Sequence, residues 1–65
     1  MNLTKFANIN PTAKIETLHN VSDRFAVVEL RNGNWGCIDK NLFSVGYIFS
    51  FKNTKEQAVD FCNAF

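Results

Sequence analysis

Apolar residues recur along this chain at two different periods. From Ala58, positions Phe61, Cys62 and Phe65 fall at i+3, i+4 and i+7, with Gln57, Asp60 and Asn63 on the other side. That is the spacing of one apolar face of a helix. Just upstream, Thr54-Lys55-Glu56-Gln57 has the form of a capping box, in which the threonine accepts from a first-turn N–H and the glutamine reaches back to the cap's own N–H. Asn53 with Glu56 offers the same box one residue earlier. The pattern predicts a helix over 54–65, too short to hold by itself, so Phe61 and Phe65 need a sheet to dock on.

The second period is two. Arg24-Phe25-Ala26-Val27-Val28-Glu29-Leu30-Arg31 and Asn34-Trp35-Gly36-Cys37-Ile38-Asp39 flank an Asn32-Gly33 pair, a strong signal for a β-hairpin with a type I′ turn. A two-residue loop sets the register: Leu30 faces Trp35, Val28 faces Cys37, and Val27 faces Ile38. Alternation then puts Ala26, Val28, Leu30, Trp35 and Cys37 on a first face. Phe25, Val27, Glu29, Arg31, Gly36 and Ile38 fall on a second. A further strand over 45–52 alternates Val45, Tyr47, Phe49 and Phe51 against Gly46, Ile48, Ser50 and Lys52. Its large set is assigned to the first face with Trp35.

Before the hairpin, 13–21 reads as a strand turning through Ser22-Asp23 into Arg24. The rival is a short helix capped by Asn10 with Pro11 at its first position, carrying Ile15 and Leu18 inward. Residues 1–12 read as an irregular arm or edge strand carrying Leu3, Phe6 and Ile9. The expectation is a single α+β domain: a small antiparallel β-meander of three or four strands over 13–52, with one C-terminal helix packed on one face.

Length and composition narrow the function classes. Sixty-five residues bury only roughly 60% of the surface their unfolded chain exposes, so the seven phenylalanines, one tryptophan and one tyrosine are needed as core. Trp35, Tyr47 and Phe49 on an open sheet would make a base-stacking platform; the reading preferred here is that they lie under Phe61 and Phe65. Seven Lys and Arg against six Asp and Glu leave a formal charge of +1, with the signs interspersed, a weak footprint for a phosphate backbone. No apolar run approaches the roughly 20 residues of a spanning helix. The first twelve residues lack the apolar segment of a secretory signal, and the expected location is cytoplasmic.

Candidate chemistry is sparse. Cys37 and Cys62 have no CxxC spacing and read as small buried hydrophobes; a bridge between them requires the helix to lie over the hairpin. His19 is the only histidine. A Cys37–His19 nucleophile needs contact plus an orienting group and an oxyanion site, and one His with two distant Cys does not make a zinc set. Gly33, Gly36 and Gly46 form no phosphate-binding motif. The expectation is a non-enzymatic protein with no cofactor and no metal.

Two stretches carry resemblances. Gly33-Asn34-Trp35-Gly36-Cys37-Ile38-Asp39-Lys40 resembles one unit of a WG repeat, over eight residues and once only. The strands followed by Phe51-x-x-Thr54-x-x-x-Ala58-x-x-Phe61 are similar in pattern to the three-stranded-sheet-plus-helix domain at the N-terminus of some phage-type integrases. That resemblance implies a sheet that reads DNA, although here the hairpin offers mainly Arg24, Arg31 and Lys40, with Glu29 among them.

The central strand is apolar on both sides, and one helix covers one side of a sheet. Phe25, Val27, Ile38 and Ile48, with Glu29 and Arg31 setting orientation, therefore form a candidate interface on an open second face, for a protein partner or for self-association into a homo-oligomer. In the alternative, the arm with Leu3, Phe6 and Ile9 folds over that face. The size, the lack of a catalytic constellation and the start at Met1 suit a small accessory or inhibitor protein of the kind phages and mobile elements encode. The rival is a nucleic-acid-binding module using Arg24, Arg31, Asn32, Asn34, Lys40 and Lys52.

Overall fold

In the computed structural model, which describes residues 3–65, helix α1 (Leu3–Ile9) is followed by strands β1 (His19–Asn20), β2 (Phe25–Glu29), β3 (Trp35–Asp39) and β4 (Ile48–Lys52) and by helix α2 (Lys55–Asn63). Short 3₁₀ segments lie at Ile15–Thr17 and Lys40–Val45. The strands form one antiparallel sheet in the order β1-β2-β3-β4, so the α+β meander with a C-terminal helix expected from the sequence is what the chain forms.

The hairpin loop divides the hydrophobic residues between the two faces of this sheet, and it does so differently from the sequence reading. Val27 lies opposite Cys37 and Val28 opposite Gly36, one residue away from the register of a two-residue loop. Leu30 N–H donates to Asn34 O at 2.8 Å and Gly33 N–H to Leu30 O at 2.9 Å, which makes the loop three residues, Arg31-Asn32-Gly33. Gly33 has φ 89°, while Asn32 has no positive φ. A type I′ turn needs positive φ at both; a type I turn followed by one left-handed residue needs it only at the glycine. Asn32 instead uses its side-chain oxygen to accept from Asn34 N–H at 3.0 Å.

Strands β2 and β3 keep their own alternation, but the sets meet crosswise. Phe25 and Val27 join Trp35 and Cys37 beneath α2, packed with Ala58, Val59, Phe61 and Cys62. Val28 and Leu30 join Ile38 on the other face, packed with Phe6, Ala13 and Phe43 and flanked by Leu3, Ile15, Leu18 and Ile48. The sheet is therefore covered on both sides. In β4 the pairing shifts between Cys37 and Ile38, which oppose Ser50 and Ile48; Phe49 is the extra residue of a β-bulge. Phe49 packs on the α2 side as expected, whereas Val45, Tyr47 and Phe51 are exposed.

The arm expected over 1–12 is helical from Leu3 to Ile9 and ends at Asn10, just before Pro11; Met1 and Asn2 lie outside the described residues. Phe6 from this helix is fully buried against Phe43, ring centroids 4.8 Å apart. Asn10 Nδ2 donates to Gly46 O at 2.8 Å, tying the end of α1 to the turn before β4. The strand expected over 13–21 is reduced to a single bridge, Ala13 to Leu30, and the two residues of β1. Between them Thr17 takes the place of strand backbone: its hydroxyl donates to Lys14 O at 2.7 Å and accepts from Glu29 N–H at 3.0 Å. At α2, Thr54 caps as expected, accepting from Gln57 N–H at 3.1 Å. Gln57 Oε1 reaches one residue further back than a standard box and accepts from Asn53 N–H at 3.3 Å.

Candidate functional site

The six residues of the sequence-derived interface do not share a surface. Phe25 and Val27 lie under α2, Ile38 and Ile48 on the opposite face, and Val27 and Ile38 have no exposed area. The cause is the three-residue loop, which exchanges the partners of β2, together with α1, which covers the face the sequence left open to either reading. Glu29 faces Lys14 (Nζ to Oε1 3.7 Å), and Arg31 stands at the loop with Nε 3.5 Å from Pro11 O.

The six basic and amide residues of the rival reading are also divided. Arg24 and Lys40 sit at one end of the hairpin, Arg31, Asn32 and Asn34 at the other, roughly 20 Å away by the rise of a strand. Lys52, opposite Trp35, belongs to the loop end. Two of these cations are engaged within the chain: Arg24 pairs with Asp39, and Lys40 Nζ donates to Ser22 O at 2.8 Å. Lys52 Nζ lies 4.0 Å from the centre of the Phe61 ring.

His19 and Cys37 flank Val27 on neighbouring strands, their Cα atoms roughly 9–10 Å apart by strand spacing. Cys37 and Cys62 are both buried and free, one from β3 and one from α2. Cys37 Sγ donates to Ala58 O at 3.7 Å. Burial, and then the neighbouring Cys62, push the Cys37 thiol up to about 12; burial also raises Cys62. Thiols in this state are poor nucleophiles. Among the described residues no cluster of three His, Cys, Asp or Glu is placed to hold a metal ion, and no helix is long and apolar enough to cross a membrane.

What the fold does assemble is a shallow groove of about 200 Å³ at the end of the sheet away from the hairpin loop, lined by Arg24, Phe25, Asp39, Leu42, Tyr47, Phe49 and Phe65. Its floor is aromatic. Phe25 and Phe49 are 5.7 Å apart, and Phe65, just beyond the end of α2, lies 5.4 Å from Phe25 and 5.6 Å from Phe49. Its walls are open to solvent: Leu42 is 41% exposed, Tyr47 52% and Phe65 70%. One charged feature marks the rim. Arg24 Nε donates to Asp39 Oδ2 at 3.1 Å and Nη2 stands 3.0 Å from the same oxygen, while the guanidinium carbon stands 5.0 Å from the Phe25 ring centre. Asp39 Oδ1 accepts from Asn41 N–H at 2.9 Å, starting the 3₁₀ segment that carries Leu42. That backbone bond first, and Arg24 second, hold the Asp39 carboxyl below its usual range. The sequence reading assigns Tyr47 and Phe65 to the core and does not single out Leu42. Phe65 continues the stripe of α2 past the last helical residue, which is the one local signal for its position.

No family model matches the chain, and comparison with curated protein sequences and with solved structures gives no match to either. The functional reading rests on the geometry alone.

Proposed function

We propose that this protein is a small non-enzymatic interaction module that binds a protein partner at the groove of Arg24, Phe25, Leu42, Tyr47, Phe49 and Phe65. The observation that carries the reading is that three exposed large apolar side chains, Leu42, Tyr47 and Phe65, gather around an aromatic floor beside a charged rim. Solvent-exposed aromatic and aliphatic surface with a polar border is the usual composition of a protein contact. Phe25 is the one residue of the sequence-derived interface that reaches it.

A photo-crosslinking residue at Leu42 or Tyr47, compared with one at Glu56 on the exposed start of α2, tests the reading in the source cells. Discrete protein adducts at the groove positions and none at Glu56 are expected. The same adducts at Glu56, or none at the groove, would overturn it.

One arrangement favours the nucleic-acid reading as a second. Lys55 Nζ lies 5.9 Å from the Trp35 ring centre, and Lys52 is paired with Trp35 across the sheet, so two cations and an aromatic ring gather near the Asn32-Gly33-Asn34 loop. Trp35 is the single tryptophan, so its fluorescence reports on that end alone. Quenching by a single-stranded oligonucleotide that disappears with added salt is the outcome this second reading requires; unchanged fluorescence at low salt removes it.

A further inference from the structure

The two outer edges of this sheet are treated differently by the chain. Along the outer side of β2, main-chain groups are closed one after another. Arg31 N–H donates to Thr12 O, Glu29 O accepts from Lys14 N–H, Glu29 N–H donates to the Thr17 hydroxyl, and Phe25 O accepts from Val21 and Ser22 N–H. Between these, β1 supplies two residues. The edge so formed is short and polar, a form that discourages further pairing.

β4 lies at the opposite edge and, among the described residues, has no such cover. Three of its five residues are Ile48, Phe49 and Phe51, yet none is buried, and Phe51 is 58% exposed. The ladder fixes which main-chain groups point outward. Leu30 N–H bonds to Asn34 O and Lys40 N–H to Arg24 O. By the alternation of antiparallel pairs, Gly36 then turns its N–H and C=O toward β2, while Trp35 and Cys37 turn theirs toward β4. Their mates Lys52 and Ser50 therefore point inward, and Phe51, opposite Gly36, presents its N–H and C=O to the free edge.

We propose that this edge pairs with a second copy of the chain, β4 against β4 antiparallel about a two-fold axis at Phe51, joining two sheets into one. The occupant is argued from self-complementarity. At a two-fold axis a residue exchanges both main-chain bonds with its own copy, and Phe51 is placed to do so. The bulge at Phe49 bends the strand there, leaving Ser50–Lys52 as the pairing stretch. Lys52 is its only charge and falls opposite Ser50 of the copy; a parallel arrangement would set the two lysines side by side. Phe51 lies on the face away from α2, opposite Gly36, over which the Ile48 side chain packs; there the two Phe51 rings would meet. So short a contact is well below the area of a standard stable interface, and the dimer is expected to be weak. This inference does not depend on the groove.

Sedimentation from about 10 μM to about 2 mM, with hydrogen exchange of the Phe51 amide followed at both ends of the series, tests it. The expected result is a mass rising toward twice the monomer, with Phe51 exchange slowed several-fold at the high end. Phe51→Pro removes the outward donor without costing a ladder bond and should stay monomeric. A mass that stays at 7.4 kDa, or one that rises while Phe51 exchange is unchanged, overturns the proposal. If Phe51→Pro does not fold, the exchange comparison on the unaltered chain decides alone.

Discussion

At Gly46 two constraints fall on one residue. Its φ is 71°, a conformation that costs a side-chain-bearing residue about 1–2 kcal/mol. A Cβ there would also stand 2.5 Å from Ile9 Cγ2 on α1. Gly46→Ala is expected to cost roughly 2–4 kcal/mol in urea unfolding. Adding Ile9→Ala removes the Cγ2 and Cδ1 contacts but keeps the Ile9 Cβ, 2.7 Å from the new methyl, so it should return only part of the steric cost, which a double-mutant cycle measures. Asp39 sets the acid side of the stability profile. Its folded carboxyl is lowered, by Asn41 N–H first and Arg24 second, so the unfolded chain binds the proton more readily. The stabilisation is complete above the unfolded value of about 3.9 and is lost as pH falls through the folded one. Asp39→Asn should lower stability at neutral pH and flatten the decline below about pH 4; a decline as steep as in the unaltered chain would assign it to other carboxyls.

Among the elements, α2 was the most legible in the sequence, because its cap, its stripe and its start are all local. Thr54→Ala should cost about 1 kcal/mol in thermal or urea unfolding through the lost bond to Gln57 N–H. The hairpin was legible as a hairpin but not in register. Phe25, Ala26, Val27 and Val28 are all buried, so β2 is apolar on both sides and its alternation gives no vote between two registers. The loop alone decides, and Asn-Gly suits a type I′ turn as well as the three-residue form found here. Helix α1 was missed although Leu3, Phe6 and Ile9 are spaced by three, since seven residues before a proline carry little helical signal of their own. The groove was not legible for a related reason. Leu42 and Tyr47 lie in or beside a 3₁₀ segment without sustained periodicity, and their exposure depends on where Phe43 and Phe49 are drawn by the packing.

The whole molecule stacks α2, the sheet and α1 with its neighbouring turns into three layers, and both buried thiols lie in one of the two interfaces, between α2 and the sheet. Cys37 and Cys62 should react with an alkylating reagent near pH 8 only as fast as the domain opens, with a rate that follows urea unfolding. Fast labelling of the native protein would mean that α2 undocks from the sheet without global unfolding. The same layering gives the Arg31-Asn32-Gly33 loop a consequence for descent. An in-frame loss of one codon there would leave every strand spelled as before, yet deal the residues of β3 to the opposite helix. A lineage carrying this fold is thus freer to respell that loop, outside the glycine, than to change its length, and insertions and deletions should be purged from it before most substitutions are.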